Sequence, residues 1–147
     1  LHLLNVKLNL DVSFNSTQNG ISSEHLNAFA QQLNRWIKPV ESKHEVVLCQ
    51  NAAFSLKLIA KRIPPNDSAP ALSSSIALCT ELLGNWRSFD EAMVGSILLL
   101  AGELVRRQST RNTLQYVNKL CAISLDILME QLDSSASQQQ QQHVVSP

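Results

Sequence analysis

The chain has 147 residues, 12 basic and 12 acidic side chains that cancel to zero net charge, and 44% apolar but only 5% aromatic residues. This length and apolar content suit one domain with a real core, and the preponderance of Leu, Ala and Ile suits helix packing better than a β-sandwich. Electroneutrality argues against a dedicated nucleic-acid-binding domain, which would usually be markedly basic, and no apolar run reaches the ~20 residues that span a bilayer.

Along the chain, residues 1–14 carry two patterns. Val6, Leu8, Leu10, Val12 and Phe14 alternate as in a strand, whereas Leu1, Leu4 and Leu8 mark the remnant of a helix, the reading that suits a helical chain. Asn15 to Gly20 reads as a loop. Ser22 or Ser23 then caps a helix reaching Ile37 before Pro39, with Leu26, Phe29, Ala30, Leu33, Trp36 and Ile37 on its apolar face. A second helix is expected from Ser42 to Ile63, ended by Pro64-Pro65. Asp67 or Ser68 caps a third, with Pro70 in its first turn and Leu72, Ile76, Cys79, Leu83 and Trp86 buried. Ser88-Phe89-Asp90-Glu91 has capping-box spacing and opens a fourth helix to Gln108. Thr110 opens a fifth, carrying Leu114, Val117, Cys121, Leu125 and Leu128, to Leu132. Residues 134–147 read as a disordered Ser/Gln-rich tail, because such a composition cannot bury enough surface to fold.

The chain also repeats itself at an offset of 45 residues. Lys61-Arg62 reappears as Arg106-Arg107, and Cys49, Ala52, Ala53, Leu56, Ile59 and Ala60 fall on Val94, Ile97, Leu98, Ala101, Leu104 and Val105. Leu72, Ile76, Leu78, Leu82 and Leu83 fall likewise on Val117, Cys121, Ile123, Ile127 and Leu128. One long helix would be out of phase at this offset, since 45 residues make about 12.5 turns. Two helices per unit at this period specify an all-α fold, an α-solenoid of antiparallel helix pairs of HEAT or armadillo type, here about two and a half repeats over residues 1–133. The chain opens on Leu1 rather than methionine, as expected of a piece of a larger solenoid.

Candidate chemistry is sparse. Cys49, Cys79 and Cys121 lie in apolar helical stretches without metal-ligand spacing, which reads as reduced, buried thiols of an intracellular protein. The two glycosylation sequons, at Asn15 and Asn66, carry little weight without a signal peptide. His2, His25, His44 and His143 are scattered, no nucleophile motif surrounds any Ser or Thr, and glycine is too scarce for a phosphate-binding loop. The expectation is a protein that is not an enzyme, with no cofactor, metal or small-molecule substrate. Gly95 and Gly102 share one face of the fourth helix, where they are either tolerated or permit close approach by a neighbouring helix. Lys57, Lys61, Arg62, Arg106 and Arg107 cluster near the ends of equivalent helices. They either complement the helix dipoles or form a basic ridge for RNA phosphate or an acidic partner.

The stretch Gln50 to Ile63, reading QNAAFSLKLIAKRI, then Met93 to Val105, reading MVGSILLLAGELV, and the Leu-rich stretch from Leu114 to Leu128 together resemble a segment of the large HEAT-repeat protein family of the small-subunit processome. The resemblance covers residues 24–132 and leaves out the glutamine run. It implies a nucleolar, non-catalytic scaffold in pre-ribosomal RNA processing, linked in that family to ribosomal RNA transcription. Its partners would be proteins of a large assembly and pre-ribosomal RNA backbone, with no membrane. The alternative on the same fold is a nuclear transport receptor, an adaptin-like adaptor or a tubulin-binding scaffold. Trp36 and Trp86, on faces expected to be buried, speak against the cargo carriers among these. A third possibility is a helical regulatory domain of an enzyme whose catalytic groups lie elsewhere.

Overall fold

In the computed structural model, residues 21–64, 69–107 and 114–144 are described. Among them are five α-helices and no strand: α1 (Ser23–Leu33), α2 (Lys43–Arg62), α3 (Pro70–Leu83), α4 (Glu91–Arg107) and α5 (Leu114–Val144). Short 3-10 turns, Asn34–Trp36 and Trp86–Ser88, follow α1 and α3. The two patterns expected in residues 1–14 and the caps expected at Asp67, Ser68 and Thr110 lie outside the described residues.

Helices pack both on their sequence neighbours and on the next helix but one. α1 meets α2 and α3 meets α4, while α1 meets α3, α2 meets α4 and α3 meets α5. That alternation is what stacked helix pairs produce, so the chain is a small HEAT-like α-solenoid. α2 against α4 is the most extensive of these interfaces, and α4 also packs along α3.

Local chemistry sets most boundaries. Ser42 Oγ accepts from Glu45 N–H at 3.2 Å, and Glu45 Oε2 accepts from Glu41 N–H at 3.0 Å, a reciprocal cap on α2. The cap of α4 is Asp90 rather than the expected Ser88: Asp90 Oδ1 accepts from Ala92 N–H at 2.9 Å, while Ser88 Oγ donates to Asn85 Oδ1. The start of α3 is satisfied from a distance. Asn27 Oδ1 on α1 accepts from Ala71 N–H at 3.1 Å, and Asn34 Nδ2 donates to Ala71 O at 2.8 Å.

The core holds Leu26, Ile37, Leu56, Ile59, Ile76, Leu83, Met93, Ile97, Leu100 and Leu104, all essentially inaccessible. Each contributes about 1.5–3 kcal/mol by burial. Buried Ser75 and Thr80 bond the carbonyls four residues back, Ala71 and Ile76, at 2.9 and 2.7 Å.

Several expected core positions are not in the core. Phe29, within α1, is 41% exposed, and Trp36 is 40% exposed because α1 ends at Leu33 and the 3-10 turn rotates it off the helical face; Trp86, also in a 3-10 turn, is half-buried. On α5 the apolar residues fall on two sides. Tyr116, Leu120, Ile123 and Ile127 turn inward, while Leu114, Leu125, Leu128 and Cys121 are exposed and Val117 is half-buried. Cys121 is therefore not a core thiol. Within the tail expected to be disordered, the described residues are helical: α5 runs on through Ser134–Ser137 and the glutamines to Val144, and residues 145–147 lie outside the described residues. Glutamine and alanine are good helix formers, no Gly or Pro interrupts them, and an established helix propagates at one hydrogen bond per residue.

Candidate interaction surface

Three of the basic positions singled out in the sequence, Lys61, Arg106 and Arg107, act on one carboxylate, that of Glu103. α2 and α4 carry Lys61-Arg62 and Arg106-Arg107 in their last turns, the two helices pack on each other, and Lys61 is close enough to Glu103 of α4 to act on its carboxyl. At the centre stands Glu103, whose side chain is only 10% exposed. Its carboxylate accepts from Arg106 Nη2 at 2.9 Å and Nε at 3.3 Å, and from Arg107 Nε at 3.2 Å. Burial alone would push Glu103 up, but hydrogen bonds from Arg106 and Arg107 and the nearby charges of Arg106 and Lys61 outweigh it and hold the carboxyl below its ordinary value.

The five cations are thus not equivalent. Arg106 and Arg107 are drawn onto Glu103. Lys57 sits one turn back, its ammonium 5.1 Å from the centroid of the Phe54 ring. Arg62 forms no ion pair among the described residues, and Lys61 acts on Glu103 only at longer range. Each basic pair also lies where the carbonyl end of a helix favours a cation.

A second polar cluster was not foreseen. Arg87, in the turn after α3, binds Asp126 at 3.1 Å and Glu130 at 2.8 Å on α5, while its guanidinium stacks 4.6 Å from the Trp86 ring. Trp86 Nε1 donates to Asp126 Oδ2 at 3.2 Å, and Gln131 Nε2 donates to Glu91 Oε1 at 3.0 Å. Hydrogen bonds from Arg87 and then Trp86 hold Asp126 below its ordinary value. The partners stand about 40 residues apart, so no local motif announces them.

Between α4 and α5 lie two cavities, of about 660 and 520 Å³, with Leu98 lining both. Gly95 lines one and Gly102 the other. The close approach of a neighbouring helix expected at these glycines is not found: a Cβ at either would meet nothing within 4 Å. Among the described residues no cluster of His, Cys, Asp or Glu could hold a metal ion, and no helix is long and apolar enough to cross a membrane.

The stacked helix pairs and a surface of charged edges and apolar troughs define a segment of helical-repeat scaffold. The chain is 34% identical over 146 residues to the HEAT repeat-containing protein 1 homolog of Caenorhabditis elegans. The match takes in 93% of this chain and 9% of that relative, so the chain corresponds to a small part of it. No family model matches the chain, and no solved structure does.

Proposed function

We propose that this chain is one stretch of a long non-catalytic solenoid that serves small-subunit pre-ribosomal RNA processing in the nucleolus, in a family also linked to ribosomal RNA transcription. The observation that carries this reading is the similarity to a HEAT repeat-containing protein 1 homolog across nearly all of the chain. It agrees with the resemblance of the α2, α4 and α5 sequences to the processome family. The mechanism is geometric: stacked helices hold protein partners at fixed separations, and no bond chemistry is involved. Lys57, Lys61, Arg62, Arg106 and Arg107 are the proposed contacts to RNA phosphate or an acidic partner, with Lys61 and Arg62 the more available because Glu103 occupies the two arginines.

Proximity labelling of the full-length protein tests the assignment. Nucleolar processing factors are the expected neighbours, and recovery of transport or cytoskeletal proteins in their place overturns it. The second reading, a transport or cytoskeletal adaptor, gains from the exposure of Trp36, since an accessible indole is a ready docking group. Contact with RNA is tested by replacing Lys61, Arg62, Arg106 and Arg107 with glutamine. Loss of a salt-sensitive, sequence-indifferent affinity with an intact fold supports it. Unchanged RNA binding with a lower melting temperature reduces the cations to helix-end complements.

A further inference from the structure

We propose that the free side of the layer formed by α2 and α4 is a docking strip for an acidic amphipathic segment of a protein partner. The partner's apolar side chains seat on Val47, Phe54 and Leu99, and its carboxylates reach Lys61 and Arg106. This assignment rests on the reading of the basic positions as partner contacts, and not on the ribosomal one.

On each helix the strip is one line of residues seven apart, a spacing that returns to within about 20° of the same bearing on an α-helix. α2 carries Val47, Phe54 and Lys61, and α4 carries Ala92, Leu99 and Arg106 at the offset of 45 residues. All six are exposed, Val47, Phe54 and Leu99 by 51%, 41% and 64%. The other face of each helix is buried: Cys49, Ala52, Leu56 and Ile59 on α2 match Val94, Ile97, Ala101 and Leu104 on α4. Stacking does not cover the strip. α2 has its successor α4 packed on it, α4 has its predecessor α2, and each still exposes its line. The strip is therefore lateral to the axis along which units are added, and further units extend it rather than bury it.

Both lines change character in the same order, apolar first and cationic in the last turn. Lys61 and Arg106 are their only charged members. Arg106 keeps 65% of its side chain exposed while bound to Glu103, whose own side chain is 10% exposed. Lys57 adds an ammonium beside the strip, over the Phe54 ring. The complement of this order is a segment with apolar side chains at one end and carboxylates at the other. In helical form about 14 residues would cover the line, about 21 Å from Val47 to Lys61. An RNA strand fits less well. Val47 and Leu99 offer it neither a hydrogen bond nor a stacking plane, and Lys57 already stands over the Phe54 ring. An amphipathic peptide uses every member of the strip, because its apolar side chains bury Val47, Phe54 and Leu99 while its carboxylates pair with the cations.

The test places the photo-cross-linker benzoylphenylalanine at Phe54 or Leu99 of the full-length polypeptide, irradiates it in cells and maps the captured peptides by mass spectrometry. Both positions are expected to capture the same segment of another protein, one that combines apolar residues with several Asp or Glu. A synthetic peptide of that segment is expected to bind the full-length polypeptide at least about tenfold more weakly after Phe54→Ser/Leu99→Ser. Lys61→Gln/Arg106→Gln is expected to weaken it by a comparable factor, and that loss should shrink as salt rises. An unchanged melting midpoint verifies the fold; if Phe54→Ser lowers it, Leu99→Ser alone is used, with a smaller loss expected. No captured peptide, a segment without acidic residues, or a segment of the same polypeptide overturns the proposal. So does an affinity indifferent to either pair of substitutions. Cross-links to nucleotides would make RNA the occupant and also overturn it. The nucleolar assignment fails separately: an acidic segment captured from a transport or cytoskeletal protein supports the strip and counts against that assignment. Nucleolar neighbours in proximity labelling, with nothing captured at either position, keep the assignment and overturn the strip.

Discussion

α3 and α5 carry related sequences 45 residues apart, yet one is sealed and the other is half open. Leu83 is 1% exposed and Leu128 is 54% exposed. The same offset pairs α2 with α4, and there the divergence is electrostatic. Glu103 binds the two arginines of α4, but its counterpart in α2 is Leu58, packed against the core. An apolar repeat fixes where helices lie. It does not fix how much of each is covered, nor which charges are left to act on a partner.

The largest effect should come from truncating the two equivalent leucines. Leu83→Ala is expected to cost about 2–5 kcal/mol, and Leu128→Ala less than about 1 kcal/mol, by urea denaturation of this chain. Equal costs would mean that α5 is covered as α3 is. Next comes the contrast between a borrowed cap and a local one. Asn27→Ala removes the acceptor for Ala71 N–H and should cost about 1 kcal/mol, similar to Ser42→Ala, which removes the local cap of α2. A neutral Asn27→Ala would show that α3 does not depend on α1 for its start.

Smaller effects belong to the charged edge. Glu103→Gln should lower the melting midpoint by a few degrees at most, because Arg106 is largely in solvent. The pH dependence has a definite sign. The folded carboxyl titrates below its ordinary value of 4.5, so its contribution is present above that value and is lost as pH falls through the lower folded one. The stability gap between the parent and Glu103→Gln should therefore be constant near neutrality and close in acid. A gap that widens in acid would contradict the pairing. The smallest shift in stability is expected from Lys61→Gln/Arg62→Gln, which breaks no ion pair among the described residues.

The architecture was legible because apolar periodicity and the repeat are properties of helix faces, which a sequence displays directly. Three kinds of feature were not. The capping of Ala71 by Asn27 joins residues 44 apart, and no local signal specifies it. The Ser88 cap failed because Asp90, two residues on, is as good an acceptor and sits where the 3-10 turn ends. The inward side of α5 could not be separated from its outward side, because both carry leucine or isoleucine and a sequence records a residue's character, not its orientation. For the basic positions the sequence gives only proximity to helix ends. Their unequal engagement by Glu103 is a matter of rotamer and register.

The continuation of α5 through the glutamines has a consequence for phase. Within a helix each residue turns the chain by about 100° and advances it by about 1.5 Å. One glutamine gained or lost between Gln138 and Gln142 would swing whatever leaves the end of α5 by more than a quarter of a circle. A change of seven would nearly restore the bearing and displace it by about 10 Å. The number of glutamines thus sets the bearing at which α5 reaches Val144, in steps of about 100° per residue.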